Sequence, residues 1–298
     1  MIRTSPEVAE ALREGRPVVA LESTVLAHGL PRPRNLEVGR ALEDEVRAGS
    51  AVPATVGVVG GEPVVGLSHQ DLDWLGTAHG VLKLSTRDLP VPVARRLDGA
   101  TTVAATMWLA HRAGIAVFAT GGIGGVHRGE ANDVSADLTE LGRTPMLVVC
   151  AGAKSILDLP ATREALETAG VLVAGYETDE LPAFYSRESG IAVDVRVDSP
   201  AEAADLWRAH RALEMPGAVL LCVPPPAEAA VPAAEIEGVI REALGEAERR
   251  GVRGKDVTPF LLTTVARRTG GRSLEANVAL LKNNARVAAR VAAALAER

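Results

Sequence analysis

The chain has 298 residues, of which 47% are hydrophobic and 23% charged, and its formal net charge is −6. This composition excludes a disordered or collagen-like chain, and the absence of excess positive charge disfavours nucleic acid as a partner. The two cysteines, Cys150 and Cys222, form no CxxC pair. That spacing disfavours a structural zinc site and favours the reducing cytoplasm.

Membrane and export signals are missing from the sequence. No apolar run reaches the roughly 18 residues that a membrane helix needs, so no membrane partner is expected. Residues 1–15 lack the apolar stretch of a signal peptide and predict a polar surface helix instead. We therefore expect a cytoplasmic protein, most simply an enzyme.

Strand and helix signals alternate up to residue 223. Buried strands are predicted at residues 17–21, 56–59, 64–67, 115–119, 146–150, 171–174 and 219–223. Helices are predicted at residues 35–47 and 101–113 and after Ser68, Ser135 and Ser155. Gly60 and Gly61 separate two apolar runs, which is typical of a β-hairpin.

The pattern changes after the proline triplet at residues 224–226. Three helices are predicted from there, at residues 233–250, 259–268 and 274–297. The alternation before the triplet indicates a layered α/β/α fold with a largely parallel, mixed central sheet, followed by a helical C-terminal region. Because no internal repeat or long linker interrupts the chain, we expect a single domain over residues 1–298.

A glycine-rich loop, residues 121–125, follows the predicted strand 115–119. It does not fit the GxGxxG dinucleotide fingerprint, because the sixth position counted from Gly122 is His127. Lys255 does not end a phosphate-binding Walker A motif either, because Asp256 stands where Ser or Thr is required. Two interpretations stay open: a tight turn, or a rim at which a ligand approaches the backbone.

Two carboxylates, Asp133 and Asp137, stand four residues apart. On a helix they would share a face and repel each other, unless a proton or a hard cation such as Mg²⁺ or Mn²⁺ lay between them. The alternative is a helix N-terminus, where the dipole favours acidic residues. His127, upstream, is a candidate ligand or orienting group.

Lys154 follows the apolar strand 146–150. Ligands bind at the carboxyl ends of strands in open α/β sheets, and a lysine held there can act as a Schiff-base nucleophile. The alternative is a lysine whose amine extends to solvent.

Three more residues are candidates for the same kind of site. Glu22 ends the first predicted strand and is a candidate general acid with a raised pKa, unless it pairs with Arg32 or Arg34. Lys83 could bind a phosphate. Asn277 lies beside the apolar stripe of the last predicted helix, where its amide needs either a buried partner or a ligand.

Eight sequence blocks, in order, resemble the pseudouridine-5′-phosphate glycosidase family, also called the indigoidine synthase A-like family. The blocks are ALESTVLAHGLPRPRN, LKLSTRDL, FATGGIGGVHRG, DVSADL, VVCAGAKSILD, GYETDELPAFY, GKDVTPFLL and SLEANVALLKNNA. The resemblance covers nearly the whole chain. The stretch between His127 and Asp133 is shorter than the family's usual form.

The resemblance implies reversible cleavage of the C–C glycosidic bond of pseudouridine 5′-phosphate to uracil and ribose 5-phosphate, in pseudouridine degradation. It implies Lys154 as the nucleophile that forms a Schiff base with ring-opened ribose, Glu22 as the proton donor and Asp137 as a proton shuttle at uracil C5. It further implies one Mn²⁺ per subunit at Asp133, with Mg²⁺ as a substitute, and a homotrimer. The substrate-binding positions that it implies are Lys83, Val103, Thr120, His127, Ser135, Ala136, Asp137 and Asn277.

Two other functions stay open at this point. A Schiff-base lyase or aldolase for another sugar phosphate would keep Lys154 and the phosphate site. A metabolite-binding protein of pigment biosynthesis would bind a ligand without turnover.

Overall fold

The computed structural model describes residues 2–129, 133–254 and 257–297. The strands in these ranges are β1 (Arg3–Thr4), β2 (Val18–Leu21), β3 (Val52–Val59), β4 (Glu62–Val65), β5 (Leu82–Leu84), β6 (Gly99–Thr101), β7 (Val117–Ala119), β8 (Val126–His127), β9 (Leu147–Cys150), β10 (Leu157–Asp158), β11 (Leu172–Tyr176), β12 (Val195–Val197) and β13 (Val219–Cys222). The helices are α1 (Pro6–Arg13), α2 (Arg34–Ala48), α3 (His69–Thr77), α4 (Pro90–Arg95), α5 (Val103–Arg112), α6 (Ala136–Leu141), α7 (Leu159–Thr168), α8 (Pro200–Ala212), α9 (Ala233–Arg249), α10 (Val257–Arg268) and α11 (Arg272–Ala296). A π-helix (Val25–Gly29) follows β2, and a 3-10 helix (Thr86–Asp88) follows β5.

Within the described ranges, eleven strands form one mixed sheet. Its main path is β1-β4-β3-β2-β7-β9-β13-β11-β12, and β6 joins it through β3 and carries β5. Neighbouring strands are parallel from β3 to β12 along this path. The predicted α/β fold with a largely parallel sheet is therefore confirmed.

Strand β3 belongs to two differently paired parts of the sheet. Residues 52–55 pair in parallel with β2, whereas residues 56–59 pair antiparallel with β4. Gly60 and Gly61 turn the chain between β3 and β4 with φ angles of 58° and 85°. Such positive angles at both central positions are required by the type I′ turn and are readily adopted by glycine, so the predicted hairpin is confirmed.

Two groups of helices cover the sheet. Helix α11 packs against β2, β7 and β9, with α2 and α8 on either side of it. Helices α5, α6 and α7 contact one another in sequence, and α5 and α7 also contact the sheet. Each strand from β2 to β13 on the parallel path is almost wholly buried, because side chains on both faces meet a helix layer.

Several predicted boundaries were wrong by a few residues. The helix predicted at 101–113 begins at Val103, because the residues before it form β6. The helix predicted after Ser155 begins at Leu159, because the chain first pairs with β8 and Asp158 then caps α7 through the Ala161 N–H at 3.0 Å. The polar N-terminal helix is confirmed as α1, and Ser68 and Ser135 cap α3 and α6 as predicted. In the described part of the chain, no helix is long and apolar enough to cross a membrane.

Candidate active site

A cavity of about 630 Å³ lies where β2, β7 and β9 end. These strands are neighbours and parallel, so their carboxyl ends meet at one edge of the sheet, where ligands bind in open α/β folds. All the predicted site residues except Thr120 line this cavity, namely Glu22, Lys83, Val103, His127, Asp133, Ser135, Ala136, Asp137, Lys154 and Asn277.

Glu22 follows the last residue of β2 directly and faces the cavity. The hydroxyl of Thr120, one residue beyond β7, donates a hydrogen bond to its Oε1 atom. Burial raises the pKa of the Glu22 carboxyl, while the charge of Lys154 and the bond from Thr120 oppose that rise. Thr120 is thus placed behind Glu22 rather than in the cavity wall, and Glu22 suits the role of a proton donor.

The alternative ion pairs of Glu22 do not form. Arg32 donates to the carbonyl of Ala78 at 2.7 Å, and Arg34 pairs with Glu275 at 2.8 Å. Because both guanidinium groups are engaged elsewhere, Glu22 is left facing the cavity.

Lys154 lies in the loop after β9 and reaches into the cavity. Its Nζ atom donates to the carbonyl of Gly122 at 2.6 Å, and its backbone N–H donates to the carbonyl of Ile123 at 3.1 Å. The side chain is half-buried, so the alternative of an amine extended to solvent does not describe it. A primary amine held at the wall of a cavity is suited to nucleophilic attack.

Asp137, in the first turn of α6, is buried and held by two backbone amides. Its Oδ1 accepts from the N–H of Ala104 at 3.0 Å, and its Oδ2 accepts from the N–H of Gly124 at 2.8 Å. The carboxylate therefore ties together α6, the N-terminus of α5 and the glycine-rich loop. Its orientation toward the cavity is fixed by both bonds.

Asp133 does not share a helix face with Asp137, because α6 begins only at Ala136. It lies half-buried in the cavity wall, and its carbonyl accepts from the N–H of His127 at 2.9 Å. Residues 130–132, in the stretch noted above as short, lie outside the described residues.

A metal ion bound in this cavity would take only part of its ligands from protein side chains. Among the residues that the structure describes, no group of three or more His, Cys, Asp or Glu side chains could hold a metal ion. The carboxylate of Asp133 is a hard oxygen donor, which fits an ion of the Mg²⁺ or Mn²⁺ type that takes its remaining ligands from water and substrate oxygens.

One part of the cavity wall is suited to an anion. Lys83 of β5 lies there with the N-terminus of α5, whose first backbone N–H groups have no partner within the helix. Within the described ranges, the buried hydroxyls of Ser85 and Thr102 have no hydrogen-bond partner. The N–H of Ala104 in this first turn is bonded to Asp137, and the cation, the remaining N–H groups and the hydroxyls are groups of the kind that can bind a phosphate.

The glycine-rich loop forms a rim of the cavity. Gly121, Gly122 and Gly124 line it, and a Cβ atom at Gly124 would lie 2.2 Å from the Oγ of Ser135. The interpretation of the loop as a cavity rim fits this placement. The tight turn does not form, because residues 121–125 bond to residues 135 and 151–154 and none of the four glycines has a positive φ angle. Lys255, with Asp256, lies outside the described residues.

Reasoning from residue chemistry missed several residues of the cavity. The blocks that carry the family resemblance supply many of them, including Thr24, His28, Ser85, Arg87, Phe184 and Thr258. Membership of these blocks was the available signal, since none of them stands in a spacing that indicates chemistry. Asn284 of α11 was also missed: it is fully buried, and its Nδ2 donates to the carbonyl of Thr120 at 2.8 Å.

Comparison with known proteins identifies relatives over nearly the full length. The family model described as "Indigoidine synthase A like protein" matches residues 7–294. A pseudouridine-5′-phosphate glycosidase of Herpetosiphon aurantiacus is 58% identical over 98% of this chain and 97% of its own length. One of Methylobacterium nodulans is 57% identical over 98% of this chain and 87% of its own.

Two solved structures share the fold. The prealnumycin C-glycosynthase AlnA, in complex with ribulose 5-phosphate, is 44% identical with a TM-score of 0.91, over 99% of this chain and 97% of that one. An indigoidine synthase A-like protein of Thermotoga maritima is 38% identical with a TM-score of 0.92, over 100% of this chain and 97% of that one.

Proposed function

The chain belongs to the indigoidine synthase A-like protein family, and we propose that it is an enzyme that reversibly cleaves the C–C glycosidic bond of pseudouridine 5′-phosphate. The products are uracil and ribose 5-phosphate, and the reaction serves pseudouridine degradation. Relatives at 52–58% identity bear the name of this glycosidase. The observation that carries the proposal is the placement of an amine, Lys154, and a carboxyl of raised pKa, Glu22, in one cavity beside an anion-binding wall.

The chemistry needs an electron sink, because a carbon leaving group cannot depart simply by protonation of an exocyclic oxygen. In the proposed mechanism, the Lys154 amine attacks C1′ and the C1′–O4′ bond breaks. O4′ takes its proton from Glu22, and the nitrogen gives a proton to Asp137.

The second half of the reaction releases the base. Asp137 returns its proton to C5 of uracil, and the C1′–C5 bond breaks as the nitrogen lone pair forms the C1′=N iminium. Water then adds to C1′, with one proton passing to Glu22. Collapse of the adduct frees ribose 5-phosphate and the lysine, so the sum is substrate plus water to uracil plus ribose 5-phosphate.

The phosphate would lie against the wall formed by Lys83 and the N-terminus of α5, which begins at Val103. Ser135 and His127, which line the same cavity, are the further phosphate contacts that the family resemblance implies. Asn277, which lies in the cavity wall on α11, would bind the uracil base. A divalent ion, Mn²⁺ by family resemblance, would be held by Asp133 and would neutralise phosphate charge.

A homotrimer and a cytoplasmic location are further parts of this proposal. The homotrimer rests on the family resemblance. Light scattering on the purified protein tests the trimer. The two cysteines are free, which suits a reducing compartment.

The test mixes the protein with Mn²⁺, ribose 5-phosphate and uracil, adds borohydride and weighs the peptides. We expect the mass of one reduced ribose phosphate on the peptide that contains Lys154. The variant Lys154→Ala should carry no adduct, whereas the control Lys282→Ala, which changes a lysine of α11 outside the cavity wall, should carry it.

The same experiment separates the alternatives. An adduct that forms with other sugar phosphates, while pseudouridine 5′-phosphate stays intact, would indicate a different Schiff-base lyase or synthase. The solved C-glycosynthase relative makes that outcome worth measuring. Binding without adduct or product would indicate a metabolite-binding protein of pigment biosynthesis.

A further inference from the structure

Phe184 has no part in the mechanism above, although it lies in one of the blocks that carry the family resemblance. It lines the cavity and is 2% exposed. Its φ angle is 64°, in the left-handed region that bulky side chains rarely adopt. Strained backbone of this kind persists where the surroundings impose it, and it clusters at functional sites.

The conformation of Phe184 is imposed from three sides. It is the first central residue of a turn closed by the Ser186 N–H, which donates to the carbonyl of Ala183 at 3.5 Å, while the Ala183 N–H donates back to the carbonyl of Ser186 at 2.9 Å. Glycine is favoured at a first central position with positive φ. The N–H of Phe184 donates to the carbonyl of Ala151 at 3.1 Å, just beyond β9. The hydroxyl of Ser186 donates to the carbonyl of Val231 at 2.6 Å.

In the conformation that these bonds fix, the ring of Phe184 packs against the backbone of Gly122. A Cβ atom at Gly122 would lie 2.6 Å and 2.8 Å from the ring atoms Cδ2 and Cε2. It would also lie 2.9 Å from the carbonyl oxygen of Gly152. The ring therefore occupies the place that a side chain at Gly122 would take.

The Gly122 peptide is also the one that holds the lysine, since its carbonyl accepts from the Nζ of Lys154 at 2.6 Å. The ring and the amine thus contact the same peptide unit. The N–H of Ile123 anchors the far side of this peptide to the carbonyl of Gly152 at 3.1 Å, and the ring packs against its Gly122 side. Removal of the ring would leave the Gly122 side free to move and so change the direction in which the amine enters the cavity.

We propose that Phe184 is a positioning residue for Lys154. Its ring limits the movement of Gly122, whose carbonyl accepts from the amine, and so sets the direction of the amine. This inference rests on the Schiff-base role of Lys154 in the proposed function. A displacement of a reacting group by about 1 Å lowers rates by one to two orders of magnitude.

The experiment compares Phe184→Ala and Phe184→Leu with the matched control Tyr185→Phe. Tyr185 is the adjacent buried aromatic, with its ring centroid 4.8 Å from that of Phe184, but it does not line the cavity. For Phe184→Ala we expect kcat on pseudouridine 5′-phosphate to fall about tenfold or more while KM stays within about threefold. The fraction of folded enzyme trapped by borohydride should fall with kcat, Phe184→Leu should lose less, and Tyr185→Phe should retain both values.

Two outcomes would overturn the inference. A folded Phe184→Ala whose kcat and trapped fraction stay within about twofold of wild type would show that the ring does not position the amine. A rise in KM alone would show that the ring contacts substrate instead. If Phe184→Ala fails to fold, Phe184→Leu decides by the same criteria.

Failure of the proposed function would look different. It would show as wild-type protein that forms no adduct and no uracil, before any variant is compared.

Discussion

The substitution Asp137→Asn tests whether the Asp137 carboxylate stabilises the fold through its hydrogen bonds. Asp133, the other carboxylate of the DVSAD segment, serves as the comparison. Asp137 accepts from two backbone amides, at 3.0 Å and 2.8 Å, and is buried. An asparagine offers one oxygen and one NH₂ group, so in either orientation one buried N–H faces another donor. The variant therefore loses one hydrogen bond to a charged group and leaves one amide unsatisfied.

The size of the effect follows from these bonds. A buried hydrogen bond to a charged group contributes about 1.5–3 kcal/mol, and the unsatisfied amide brings the expected loss to about 3 kcal/mol. For a chain of this length the entropy of unfolding is about 0.6 kcal/mol per kelvin, so Tm should fall by about 5 °C. Turnover should fall at least about 100-fold, because the proton shuttle is lost.

The assay is differential scanning calorimetry without substrate, paired with uracil release from pseudouridine 5′-phosphate. Asp133→Asn is the matched control: its carboxylate lies half-buried with no hydrogen bond in the described part of the chain, so Tm should change by less than about 1 °C. Equal Tm values for the two variants would refute the assignment of the amide bonds. Full turnover in Asp137→Asn would refute its role as a shuttle.

Four further predictions concern other groups. Because burial raises the pKa of Glu22, its acid form persists above the ordinary pKa of 4.5, and turnover should fall as pH rises through the raised pKa. Glu22→Gln should lose most of the turnover and also this dependence of turnover on pH. Burial likewise raises the pKa of Glu43, whose carboxyl accepts a hydrogen bond from Thr55 at 2.6 Å. The contribution of Glu43 to folding stability is therefore full below pH 4.5 and is lost as pH rises through the raised pKa. When Tm is measured against pH, it should decline less over this range in Glu43→Gln than in wild type. Asn284→Ala should lower kcat about tenfold and Tm by a few degrees, because the strand-end carbonyl that it holds loses its partner and can shift. Chelation by EDTA should silence turnover and Mn²⁺ should restore it, and Asp133→Asn should lose that response; full activity in chelated, metal-free protein would contradict the metal site.

The fold was predictable where one local signal dominates. Strands buried on both faces read as short apolar runs, and Gly60-Gly61 marked the hairpin. Strands of two or three residues, such as β5, β8 and β12, carry no periodic signal, and they form only because a partner strand from elsewhere in the chain supplies hydrogen bonds. Helix α8 was not predicted, although Ser199 before Pro200 is a signal for the start of a helix.

The candidate site was predictable to a different extent. Residues with reactive groups at strand ends, such as Glu22 and Lys154, could be named from the sequence, and the family resemblance supplied their roles. The contacts that support these residues could not be predicted, because they join distant parts of the chain: Asn284 and Thr120 are 164 residues apart. Neither partner's local sequence indicates the other. The single-domain arrangement, the metal and the homotrimer stay predictions.

The placement of the candidate catalytic groups at one edge of the sheet has a consequence for how this chain can change in length. Glu22, Thr120 and Lys154 are spaced by fixed counts from the ends of β2, β7 and β9, so one inserted residue in those short stretches would turn a side chain away from its partner. At the opposite edge the turns before β9 and β13 are closely packed: a Cβ atom at Gly142 would lie 2.9 Å from the carbonyl oxygen of Ala169, and the N–H of Ala218 donates to the carbonyl of Leu141 at 2.7 Å. The turn before β7 is open. Gly114, which precedes β7 there, has open space around its Cβ direction. The turn at Gly114 is therefore the place at this edge where we expect an added residue to leave the candidate catalytic groups undisturbed.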